Sequence, residues 1–132
     1  MEPFEPRNEV ERQLVAAQAG ALAGERFMAE LLQAQLFMPV RDQYGIGNFQ
    51  ASDKAVPLTI EDEEGTPVLV LFTSPERAKA FVSDYPGYEG GLLAEFTWIL
   101  ERVGNGYGIV LNPGWPVGLD MAPEMVDQLA GR

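Results

Sequence analysis

Ile109-Val110-Leu111-Asn112-Pro113-Gly114-Trp115-Pro116-Val117-Gly118-Leu119-Asp120-Met121 reads as a buried strand, a rigid corner and a second extended segment. Ile109 to Leu111 form a short unbroken apolar run, the pattern of a strand covered on both faces. Pro113 has no N–H and ends that ladder; it also biases Asn112 toward extended backbone. Gly114 accepts a positive φ, so Pro113-Gly114 suits the middle of a type II turn. Pro116 sets a second bend, and Val117 to Met121 is expected to be extended again. Ala122-Pro123-Glu124 then opens a helix, where proline at the first position loses no hydrogen bond. Val126, Leu129 and Ala130 supply its apolar face, and Asp120 is expected to cap it.

Working outward, residues 1–8 read as a loose arm with Pro3 and Pro6 opposing helix, followed by a single domain over 9–132. Asn8 is a plausible N-cap with Glu11 placed to reach back. A helix over about 9–19 buries Val10, Leu14 and Ala17, Gly20 and Gly24 break it, and a second over about 24–34 buries Phe27, Leu31 and Ala34. Leu36 to Arg41 is the first strand, with Pro39 suggesting an edge or a bulge. Residues 42–54 are a polar, glycine-containing loop. Val56 to Glu61 alternates as a second strand, and Pro67 to Thr73 is apolar enough to be central. Ser74-Pro75-Glu76 starts a helix over about 75–83. Leu92, Phe96, Ile99 and Val103, spaced four, three and four apart, predict a further helix over about 91–103. The order fits an α+β fold: a mixed β-sheet of about five strands with helices packed on it.

Val110-Leu111-Asn112-Pro113 through Pro123-Glu124-Met125 resembles the end of the N-terminal domain of the SseB family, the bacterial enhanced serine sensitivity proteins, whose name also labels type III secretion SseB-like sequences. Leu36-Phe37-Met38-Pro39-Val40 and Val68-Leu69-Val70-Leu71-Phe72-Thr73-Ser74 are similar to the same family in the same order, so the resemblance spans roughly residues 10 to 130. It implies the fold and says little about activity. Trp115 stands where a small turn residue is expected. The larger C-terminal domain of some relatives has no counterpart expected in these 132 residues.

Composition narrows the function classes. Apolar residues make up 46% of the chain, which excludes general disorder. No apolar run approaches the roughly 20 residues that span a bilayer, and the polar, acidic start is unlike a secretory signal; the cytoplasm is the expected location, with secretion lacking a cleaved signal left open. With no cysteine and no histidine, thiolate nucleophiles, disulfides and the commonest general base and metal ligand are removed. No cofactor and no metal are expected. The formal charge of −11 repels phosphate backbones and anionic lipid, so neither nucleic acid nor a membrane is an expected partner. A basic protein is.

Few motifs invite chemistry. Glu61-Asp62-Glu63-Glu64 lacks the ligand spacing of a calcium loop and reads as a solvated hairpin tip. Gly45-Ile46-Gly47-Asn48 and Gly104-Asn105-Gly106-Tyr107-Gly108 are incomplete as phosphate loops and read as turns. The expected protein contacts are Trp98, on the far side of the 91–103 stripe, and Trp115, at a turn tip, with Tyr107 and Tyr88 next. Trp98's wheel position predicts homodimerisation through that face. The function expected is therefore that of a non-catalytic protein-interaction or regulatory domain. Its alternatives are an acidic inhibitor or immunity-type protein that neutralises a basic partner, and a small-ligand binder or carboxylate enzyme. The last requires a deep pocket holding two or more buried acids.

Overall fold

The computed structural model describes residues 5–42, 55–88, 90–103 and 106–131; the loop motif at 45–48 and Gly104-Asn105 lie outside them. In chain order the elements are α1 (Glu9–Gln18), α2 (Gly24–Gln33), β1 (Gln35–Asp42), β2 (Ala55–Pro57), β3 (Thr59–Glu61), β4 (Pro67–Leu71), α3 (Pro75–Val82), β5 (Gly90–Glu95), α4 (Phe96–Arg102), β6 (Gly108–Leu111), β7 (Leu119–Met121) and α5 (Pro123–Leu129). The α+β class is as expected, and the strands fall into two sheets. One is antiparallel in the order β2-β1-β5; the other is mixed in the order β3-β4-β6-β7, with β4 and β6 parallel.

Two apolar layers follow from the alternation of side chains along these strands. Leu36, Met38, Leu69, Leu71, Ile109 and Leu111 point into one core, which α1, α2, α4 and α5 fill with Leu14, Phe27, Leu31, Phe96, Ile99 and Val126. Phe37, Val70 and Phe72 point the other way and meet Ala78 and Val82 of α3. The apolar runs of β1 and β4 are thus buried from both sides, as continuous runs require.

A short seam joins the sheets. Phe37 and Phe72 exchange both backbone hydrogen bonds, at 2.8 and 2.9 Å. Leu58 donates its N–H to the Pro39 carbonyl at 2.9 Å and accepts from the Val70 N–H at 3.1 Å. The expected strand over 56–61 is therefore split at Leu58, with β2 on one sheet and β3 on the other. The same seam corrects the reading of Pro39, which lies in a central strand. The Leu58 carbonyl that would face its missing N–H is taken by Val70, so proline costs no ladder bond there.

The helix expected over 91–103 is also corrected. Residues 90–95 are strand β5, paired with β1 so that Met38 faces Leu92 and Pro39 faces Gly91, and only 96–102 are helical. Gly90 and Gly91 are poor helix formers, and β1 offers a free edge. A Cβ on Gly91 would stand 2.6 Å from the Met38 carbonyl oxygen, so close pairing demands glycine. Phe96 then donates to the Ala34 carbonyl at 3.0 Å, which anchors the strand-to-helix turn on the end of α2.

At the corner, Gly114 has φ 87° and the Trp115 N–H reaches the Asn112 carbonyl at 3.2 Å, the expected type II turn. Asn112 itself is left-handed at φ 57°, not extended; asparagine tolerates that region when its side chain bonds locally. Asp120 is exposed on β7 opposite Val110. The N-cap of α5 is Ala122, without a side-chain bond, so Asp120 is no cap.

Gly91→Ala is expected to cost about 1–3 kcal/mol through steric overpacking, read as a lowered urea midpoint at unchanged m-value. Gly24→Ala, where an added Cβ meets nothing within 4 Å, is expected to be neutral or slightly stabilising.

Candidate functional site

Two features stand out, and α1 belongs to both. The first lies where β4 and β6 end side by side, the edge at which open parallel sheets commonly receive ligands. Here the protein's own side chains fill it. Glu11 and Arg77 form an ion pair at 2.9 Å whose side chains are 0% and 2% exposed. The pairing is two-pronged: Arg77 Nε donates to Glu11 Oε2 and Nη2 to Oε1, each at 2.9 Å. Glu11 Oε1 also accepts the Arg7 N–H at 2.8 Å, and Oε2 accepts the Thr73 hydroxyl. Thr73 is bonded at three further points: its N–H reaches Asn112 Oδ1 at 3.0 Å, its hydroxyl accepts from Asn112 Nδ2 at 3.1 Å, and its carbonyl accepts from Asn8 Nδ2 at 3.0 Å. No buried side-chain N or O among the described residues is left without a hydrogen-bond partner.

Local sequence explains how these groups meet. Asn8 caps α1, accepting from the Glu11 N–H at 2.9 Å, which sets Glu11 one turn before Leu14. The expected reciprocal bond from Glu11 goes instead to the Arg7 N–H. Ser74 caps α3 by accepting from the Arg77 N–H at 3.3 Å, which orients Arg77 inward on the face of Ala78. Residues 5–8 are held here too: Arg77 Nη2 donates to the Glu5 carbonyl at 2.6 Å, and Arg7 pairs with Glu76 at 2.6 Å. Burial pushes the Glu11 carboxyl up, but the Arg77, Thr73 and Arg7 hydrogen bonds and the Arg77 charge outweigh it and hold the group below its ordinary value.

Trp115 belongs to this cluster. Its indole N–H donates to the Arg77 carbonyl at 2.7 Å and its ring centre lies 4.5 Å from the guanidinium carbon. A tryptophan at a turn tip is thus explained by stacking on a buried arginine. Tyr88 packs against the same apolar layer, with Arg41 5.4 Å from its ring centre. Trp98 lies elsewhere, half-buried against the larger core, with the Arg102 guanidinium 3.7 Å from its ring centre. Phe96, Ile99 and Leu100 form the buried face of α4, and Trp98 packs at its margin. Tyr107 is half-buried before β6. The structure brings Trp115 and Tyr88 to one apolar layer and leaves Trp98 on the other. Among the described residues the one large apolar side chain classed as exposed is Leu93, at 55%.

The second feature is a groove of about 700 Å³ further along α1, toward its C-terminal end. Leu14 and Phe27, both buried, form its floor. Ala17, Met28, Leu32, Leu119 and Met125 wall it from α1, α2, β7 and α5, and Gln18, Gly24, Glu25 and Ala29 stand at the rim. It is open to solvent and almost wholly apolar. Gln18 donates to the Gly118 carbonyl at 2.6 Å, tying α1 to the corner. Among the described residues no group of three or more acids is placed to hold a metal ion. The acidic tip is exposed, and Asp62 Oδ1 accepts the Glu64 and Thr66 N–H groups, each at 2.9 Å. No described helix is long and apolar enough to cross a membrane.

The described residues thus form a two-sheet α+β domain with a self-satisfied polar centre and an apolar, largely helix-lined groove. Residues 10–128 match the family model described as the SseB protein N-terminal domain, and the chain belongs to that family. No match was found among curated proteins or among solved structures.

Sequence reasoning missed Glu11, Arg77, Thr73 and Asn112 as a unit. A signal was present: Arg77 precedes Phe81 by four positions and so falls on the apolar side of its helix. Arg77→Met strands the buried Glu11 charge and is expected to cost about 3–5 kcal/mol; the double variant Glu11→Leu with Arg77→Met is expected to cost much less than the two singles combined. Denaturant titration of the four proteins checks this. Because the folded-state pKa of Glu11 is depressed, its contribution is complete above the ordinary carboxylate range and is lost as pH falls through that range toward the folded value. Wild type is expected to lose stability in that acid window relative to Glu11→Gln; parallel stability-against-pH curves would contradict it.

Proposed function

We propose that this SseB-family domain is a non-catalytic protein-interaction module of the cytoplasm, and that the groove between α1 and α2 receives its partner. The supporting observation is the groove's lining: eight apolar side chains and a single carboxylate, Glu25, at the rim. An apolar groove open to solvent on an otherwise charged surface is the usual mark of an interaction site. A carboxylate enzyme needs paired acids in a dry cleft, and the one buried acid described, Glu11, is committed to Arg77. Trp98, Trp115, Tyr88 and Tyr107 do not line the groove, and arginines stack on three of the four.

The test is affinity capture from native lysate with wild type, Met28→Asp and Trp98→Ala, each shown folded by circular dichroism, with every retained protein repurified and re-measured alone. A binary partner whose affinity drops at least about tenfold, roughly the loss of one well-packed apolar anchor, in Met28→Asp and holds in Trp98→Ala supports the groove. Equal affinity for wild type and Met28→Asp would overturn it.

A further inference from the structure

From the chemistry of the same groove, and resting on the reading just given, we infer that its occupant is a cationic amphipathic helix of a partner protein. Three observations converge. The walls are mostly side chains of α1, α2 and α5, joined by Leu119 of the three-residue edge strand β7, so an added helix packs ridge into groove where an added strand finds few backbone partners. Ala17, Gly24 and Ala29 line it with little side-chain bulk, which lets a third helix approach α1 and α2 closely, while Met28 and Met125 adapt to the incoming apolar stripe. The groove is open, so it covers too little of a small molecule to hold one, whereas a helix brings its own cover.

Charge then selects the sign of the partner's outer face. The helices that build the groove carry Glu9, Glu25, Glu30 and Glu124 against Arg12 and Arg26, with Glu25 at the rim and Glu11 neutralised internally by Arg77. Arg12 is itself paired with Glu9 at 3.1 Å. A helix with leucines at positions i, i+3, i+4 and i+7 and lysines or arginines elsewhere matches both the apolar floor and the acidic surroundings. An acidic helix meets repulsion on top of a chain charge of −11.

The experiment uses the full chain and three labelled synthetic helices of about eighteen residues with identical leucine stripes. Their polar faces are lysine, glutamine or glutamate. A scrambled lysine peptide is the control, and binding is followed by fluorescence anisotropy. The lysine helix is expected to bind at least about tenfold more tightly than the glutamine helix, weakening several-fold between about 50 and about 300 mM salt. The glutamate and scrambled peptides are expected not to bind. Ala29→Arg, at an exposed rim position that leaves the core intact, and Glu25→Lys are each expected to weaken the lysine helix by several-fold. Lysine and glutamine helices of equal affinity overturn the charge inference and leave the groove standing. A scrambled peptide as tight as the ordered one, or affinities blind to Ala29→Arg and Met28→Asp, overturn the helix inference. If lysate capture is equally blind to Met28→Asp, the groove falls with it. A doubling of mass in light scattering that Ala29→Arg abolishes would assign the groove to a second copy of the chain and also overturn it.

Discussion

One buried ion pair ties together parts of the fold that are remote in sequence. Taking Glu11 and Arg77 out of water costs several kcal/mol per ion even after relaxation, so they lie together only because every oxygen and most N–H groups are met. The carboxylate takes both prongs of the guanidinium, a backbone N–H and the Thr73 hydroxyl. In doing so it joins four pieces of chain remote in sequence: the start of α1, the end of β4, the start of α3 and, through Asn112 and Trp115, the corner after β6. Hydrophobic burial drives the layers together without direction; this cluster sets how they are oriented. The left-handed Asn112 has its reason here, because in that conformation the side chain reaches Thr73 while its own N–H still bonds the Leu71 carbonyl at 2.9 Å.

α1 carries this order to the groove. One turn beyond Glu11, Leu14 enters the larger core and floors the groove; one turn further, Ala17 and Gln18 form its wall and its tie to Gly118. Clamping the first turn of α1 holds the side chains of the later turns in place, so the apolar surface is presented with little freedom to lose on binding, a condition that favours affinity.

Much of this was legible in the residues. The capped helix starts at Asn8 and Ser74, the Pro113-Gly114 turn, the central β4 and β6 runs and the solvated 61–64 tip each rest on local chemistry, and local chemistry decided them. The misread elements were those settled at a distance. Leu92 to Val103 has helical spacing, yet residues 90–95 pair with β1 because two glycines admit a close neighbour that periodicity cannot see. Val56 to Glu61 alternates cleanly, yet it is cut at Leu58 because its two halves serve different sheets. Trp115 looked like an exposed anchor because nothing within several residues explains it; its explanation is Arg77. The groove was hidden for the same reason, as it is an empty space between α1, α2, β7 and α5 that no single element advertises.

The parallel pairing of β4 with β6 has a kinetic corollary. The crossover between them, residues 72–107, carries β5, and β5 completes the other sheet. The two sheets are interleaved in sequence, since β5 of one falls between β4 and β6 of the other. Such interleaving raises the mean sequence separation of native contacts, which slows folding and couples its parts.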